Sequence, residues 1–172
     1  MRVKHNDNPI PAKFIKHPQG DKIRYEFDIW VTGGARMKLK VLIFDKPKDL
    51  CMFWKHVLGR DLGGSQKKGY ETQGCVSALM HDVESYANPK KPQKWSEVDP
   101  NYFAVMGLCK HHLTAEVVVH ECVHAAYAYE KRHKGQFWID KDELDEEHIA
   151  YPTGRIAKVI FRRLIAKDLL NI

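Results

Sequence analysis

The residues best equipped for chemistry are His120, Glu121 and His124, in the run His120-Glu121-Cys122-Val123-His124. The pattern is H-E-x-x-H. Val117, Val118, Val119, Val123, Ala125, Ala126 and Ala128 surround it, so the run is expected on a largely buried helix over 117–130. Residues four apart on a helix differ by about 40° in azimuth and about 6 Å in height. Two imidazoles so placed can close on one Zn²⁺ at ~2.0–2.1 Å. Glu121 is rotated about 100° from His120. That makes it a poor ligand beside the histidines and a suitable general base for a water at the metal. Two histidines and a carboxylate on a buried helix are costly unless paired or metallated. The plainer interpretation is a helix with two satisfied core histidines.

A hydrolytic zinc centre needs a third protein ligand and an open fourth position. Six residues beyond His124 stands Glu130, with no glycine at the place the metzincin pattern requires, so that pattern is rejected. His133, nine residues on, would lie about 180° away and about 13 Å further along a continuing helix. It could serve only if the helix ended before it. Glu146 and Glu147 are the third option, in Asp145-Glu146-Glu147-His148-Ile149-Ala150-Tyr151. About ten residues of helix after His124 rise about 15 Å, and Gly135 then supplies a stop. A second helix starting near 140–142 and running back antiparallel would be level with His124 after about five to seven residues, which favours the acidic pair.

With these residues the chain resembles the gluzincin family of zinc metallopeptidases, which joins H-E-x-x-H to a Glu on a following helix, often with a small residue three positions later. Glu147-x-x-Ala150 fits, whereas Glu146 would put Ile149 there, so Glu147 is preferred. The likeness spans residues 117–157 and is strongest to small phage and prophage proteins in which H-E-x-x-H precedes Glu-Glu-x-x-Ala-Tyr. It implies a minimal zincin-like domain and hydrolysis of a peptide or protein substrate. His120, His124 and Glu147 would hold Zn²⁺, Glu121 would take the water proton and return it to the leaving amine, and a His or Tyr would stabilise the oxyanion. Tyr151, taken first, and His148 lie near the expected ligand, and Tyr127 is one turn past His124; the choice among them stays open. An edge strand, 102–109 or 74–83, would bind substrate backbone by strand addition. A SprT-like arrangement, with His133 as third ligand ahead of Gly135 and Phe137, is a further alternative with short spacing.

The elements that must position these residues are legible in part. At 172 residues the chain is expected to be one domain over 21–172 behind an extended, proline-containing arm over 1–20. A hydrophobic content of 44% excludes general disorder. Residues 22–31 alternate, with Ile23, Tyr25, Phe27 and Ile29 on one face, and 37–44 alternate likewise, which predicts a β-hairpin. Residues 45–59 predict a short helix with Pro47 in its first turn and Gly59 past its end. Residues 59–70 read as a loop, 74–83 as a third strand and 102–108 as a fourth. Residues 87–94 form a basic loop, with Trp95 beside it packing or stacking. Thr114 is the expected N-cap of the motif helix. Pro152 and Gly154 predict a break in the returning helix. An amphipathic helix then follows over 156–170, with Ile156, Val159, Ile160, Leu164 and Ile165 inward. The fold class is therefore α+β: a four-stranded, mainly antiparallel sheet covered on one side by helices.

His81, Asp82 and Glu84, and separately Cys109, His111 and His112, have ligand-type side chains, but their spacing gives no closed set. Cys51, Cys75, Cys109 and Cys122 form no C-x-x-C pair, and the first 30 residues hold no secretory apolar region, so reduced cysteines and a cytoplasmic location are expected. A formal charge of +6 permits an acidic partner or nucleic acid without requiring one. No apolar run approaches the length of a membrane span. From another functional class, the sequence also allows a zinc-stabilised binding module that holds nucleic acid or a protein through its basic loops and C-terminal helix.

Overall fold

The computed structural model describes residues 23–32, 36–56, 74–78, 101–134 and 146–170. Four strands, β1 (Ile23–Val31), β2 (Met37–Phe44), β3 (Gly74–Ala78) and β4 (Tyr102–Cys109), form one sheet in the order β1-β2-β4-β3. Three α-helices accompany it: α1 (Pro47–His56), α2 (Ala115–Lys134) and α3 (Glu146–Ala166). The α+β class expected from the sequence is what the structure shows.

The sheet is mixed, which corrects the expectation of a mainly antiparallel one. β1 pairs with β2 and β3 with β4 antiparallel, but β2 and β4 run parallel, from Lys38 opposite Tyr102 to Phe44 opposite Cys109. The physical reason is burial on both faces. Every residue of β2 and β4 is buried, as befits central strands with a layer on either side. The alternation of Met37, Leu39, Val41 and Ile43 with Lys38 and Lys40 suggests a solvated face. Instead Lys38 and Lys40 keep only 4% and 5% of their surface. Lys40 Nζ lies 2.9 Å from Asp28 Oδ1, an ion pair, and Tyr102 donates its hydroxyl to Asp28 Oδ2 at 2.6 Å. Lys38 Nζ sits 4.6 Å from the centre of the Trp30 ring, whose face Arg36 also covers.

Helices therefore cover both sides. On one side, α1 places Leu50, Phe53 and Trp54 against Leu42, Phe44, Tyr102 and Val105. This approach depends on Gly107, where a Cβ would stand 2.5 Å from both Leu50 Cδ1 and Trp54 Cζ3. On the other side, α2 and α3 pack over Phe27, Ile29, Leu39, Val41, Met106 and Leu108. α2 turns Val118, Cys122, Ala125 and Tyr129 inward, at the three- and four-residue spacing of one helix face. α3 does the same with Ile156, Ile160 and Leu164. Phe103 meets Tyr129 edge to face at 5.4 Å.

The start of α2 is capped as expected: Val117 N–H donates to Thr114 Oγ1 at 3.3 Å. The break expected in the returning helix is absent. α3 runs as one helix from Glu146 to Ala166 with Pro152 inside it. Proline removes the bond to the carbonyl four residues back. Here that residue is His148, which is exposed, so water can satisfy the freed group. The expected arm over 1–20, the loop over 59–70, the strand beyond Ala78, the basic loop over 87–94 with Trp95, and the stop at Gly135 all lie outside the described residues.

Candidate metal centre

The motif falls in the first half of α2. His120 and His124, four residues apart, project from the exposed side of the helix. Their Nε2 atoms stand 3.1 Å apart, with the rings at 75° to each other. Two nitrogens each ~2.0–2.1 Å from a tetrahedral ion would stand about 3.3 Å apart. The pair is thus set at the bite a zinc ion needs, and one neutral ring donating N–H to the other spans the same gap. Burial, and then the neighbouring His120 ring, hold His124 below the usual histidine range, which keeps it neutral and able to donate a lone pair.

Glu121 is turned into the molecule and keeps 5% of its surface. Among the described residues its Oε2 is buried without a hydrogen-bond partner. Burial pushes its carboxyl up from 4.5 to about 7, a value suited to accepting and releasing a proton near neutrality. The neighbouring Cys122 thiol is pushed up to about 12, first by burial and then by Glu121. β3 packs against Glu121 so tightly that a Cβ on Gly74 would stand 2.8 Å from Glu121 Cγ and 3.2 Å from its Cδ. Only glycine lets this end strand approach the carboxylate without displacing it. Gly74 was missed from the sequence, where it read merely as the start of a strand.

Glu147 is not brought together with the histidine pair. It lies in the first turn of α3 and lines a cavity with Tyr129, Glu130, His148, Tyr151 and Arg155. The first turns of α3 therefore lie beside the C-terminal half of α2, whereas the motif occupies the N-terminal half. Tyr151 and His148 share that cavity, away from the pair, and Tyr151 is 66% exposed. Tyr127, 39% exposed, is the oxyanion candidate on the helix face of His124. Glu146, beside Glu147, is exposed in the same turn. His133 belongs to α2 and stacks on Tyr129 at 6.1 Å. Among the described residues no third His, Cys, Asp or Glu joins His120 and His124 to complete a metal set.

Cys109 is buried and donates its thiol to the Asp45 carbonyl at 3.7 Å, while His111 and His112 lie in the 3₁₀ turn that follows. All four cysteines are free thiols. His81, Asp82 and Glu84 lie outside the described residues. Among the described residues no helix is long and apolar enough to cross a membrane. No known protein family, curated protein or solved structure matches the chain.

Proposed function

We propose that the chain is a metal-dependent peptidase in which His120 and His124 hold a divalent ion, zinc by donor type, and Glu121 is the general base. One observation carries this reading. Two imidazole nitrogens converge to 3.1 Å on a helix whose intervening glutamate has a buried oxygen, unpartnered among the described residues, and a carboxyl raised to about 7. The donor set fits zinc in type and bite. Bound zinc would supply Lewis acidity toward the scissile carbonyl and acidify an attacking water.

The chain's own residues do the rest. Glu121 accepts the water proton at its free oxygen and delivers it to the departing amine. Gly74 admits the edge of β3 beside that carboxylate, so an extended peptide added to this edge would pass the base. For the third ligand Glu147 is proposed first, ahead of Glu146 and His133, on sequence spacing. Tyr151, with His148 and Tyr127 as alternatives, is proposed to stabilise the oxyanion.

The test is metal content by mass spectrometry on protein purified without added metal, with circular dichroism to confirm folding. Wild type is expected to carry stoichiometric zinc. His124→Ala and Glu147→Ala should lose it, whereas Glu121→Gln should retain it and lose at least about a thousandfold in hydrolysis. A folded wild type that takes up no zinc when zinc is offered ends this reading.

A second reading has its own observation. Arg155, Lys158, Arg162 and Arg163 lie exposed on α3 and Lys167 in the turn just past its end, a basic surface suited to nucleic acid or an acidic protein. In that case the zinc is structural. Glu121→Gln then leaves function intact, and DNA binding falls steeply with salt.

A further inference from the structure

The C-terminal half of α2 carries a second buried carboxylate that the metal chemistry does not use. Glu130 keeps 6% of its surface and lines a cavity of about 200 Å³. Among the described residues no hydrogen bond or ion pair reaches its carboxylate. A mostly covered carboxylate with no protein partner lacks compensation for its lost hydration, and a cation entering the cavity would supply it.

The surroundings say what kind of cation. Buried Tyr129 and Pro152 stand with Glu130 around the cavity, and exposed Tyr151 offers a ring beside them. Apolar and aromatic walls suit an alkyl cation, which gains from ring faces. A hydrated metal ion prefers several oxygen ligands. Among the described residues Glu130, Glu147, His148 and Arg155 face the space, together with the phenols of Tyr129 and Tyr151. The Arg155 guanidinium is tied to the end of β1, where its Nη1 donates to Thr32 Oγ1 at 3.4 Å. A volume near 200 Å³ is below the ~300–1,000 Å³ of pockets for drug-sized ligands and suits one side chain or a small amine.

We propose that this cavity is a binding site for an organic cation, the ammonium or guanidinium tip of a basic residue or of a small alkylamine, with Glu130 as its counter-charge. The site stands on the opposite face of α2 from Glu121, because nine residues turn a helix through about 180°. Its counter-charge, Glu130, has no part in the metal reading, although Glu147, His148 and Tyr151, which also line the cavity, do.

The test is an NMR titration of the full chain at low ionic strength with n-butylamine, n-butylguanidine and neutral n-butanol. A blocked tripeptide with a central lysine and its norleucine counterpart are titrated beside them. The cations are expected to give saturable shifts at the Tyr129 and Tyr151 amides, and the neutral compounds none. Glu130→Gln, which preserves the shape of the cavity, should weaken cation binding at least tenfold. Tyr151→Ala, at an exposed position, should weaken it severalfold without affecting folding. Tighter binding of the lysine peptide than of butylamine identifies the ligand as a basic side chain, and equal binding identifies a free amine. Absence of saturable shifts at millimolar ligand, or equal binding by wild type and Glu130→Gln, overturns the proposal.

Discussion

Glu121 and Glu130 are the two buried carboxylates of one helix, with almost the same residual exposure of 5% and 6%. Their surroundings differ. Glu121 is pressed against a strand, with no room for even a methyl group on Gly74. Glu130 opens on a cavity. Burial alone therefore does not tell what a carboxylate does. A tight wall fixes the position of the group and raises its proton affinity, which serves a base. An adjoining space leaves room for a counter-ion, which serves a binding site. The histidine pair belongs to the tight half, and Glu147, Tyr151 and His148 belong to the open half.

The contrast can be broken most severely at Glu121. Its folded carboxyl keeps its proton up to about 7, against 4.5 for the free group. Between those values the native state binds more protons than the unfolded state, so stability falls as pH rises through this window and stays lower above it. In metal-stripped protein, Glu121→Gln should exceed wild type by about 3 kcal/mol in urea unfolding above pH 7. The two curves should converge below pH 4.5. Equal stabilities at pH 8 would show that Glu121 is solvated and not held against β3.

Gly74→Ala comes next. The added carbon meets Glu121 Cγ at 2.8 Å and Leu108 Cδ2 at 3.1 Å, an overpacking expected to cost about 2 kcal/mol. It should also reduce hydrolysis more than it reduces zinc content, because it moves the base and not the histidines. Thr114→Ala removes the cap of α2 and should cost about 1 kcal/mol. Hydrogen exchange should quicken in the first turns of α2 and remain unchanged around Glu130; equal quickening along the helix would mean that the two halves open as one unit. Tyr151→Ala, at the exposed edge of the cavity, should change stability by less than about 0.5 kcal/mol. A larger loss would make Tyr151 a packing residue.

Much of this architecture was legible because local signals agreed with tertiary packing. Alternation located β1 and β2, and the Leu50, Phe53, Trp54 stripe located α1. Thr114 correctly marked the start of α2. The parallel pairing of β2 with β4 was not legible, since Lys38 and Lys40 imitate a solvated face and their burial depends on Asp28, Trp30 and Tyr102 from other strands. The continuity of α3 was missed because Pro152 signals a break by itself and the exposure of His148 is a tertiary fact. Within the candidate site, the i, i+4 spacing alone suffices to juxtapose His120 and His124. The position of Glu147 required the start of α3 and the register between two helices, and no single stretch of sequence contains either.

The parallel pairing of the two central strands also bears on how the chain reaches this state. Tyr102 and Asp28, joined through a hydrogen bond beside that pairing, are 74 positions apart. The β1–β2 hairpin can form as soon as it leaves the ribosome. β2, whose inner edge is made for β4, must wait until residues 102–109 have emerged. Long-range pairings of this kind slow folding and leave an apolar edge open while they are pending. The newborn chain is thus most exposed to misassociation while β2 is complete and β4 has yet to emerge, and a holding chaperone would act most usefully in that interval.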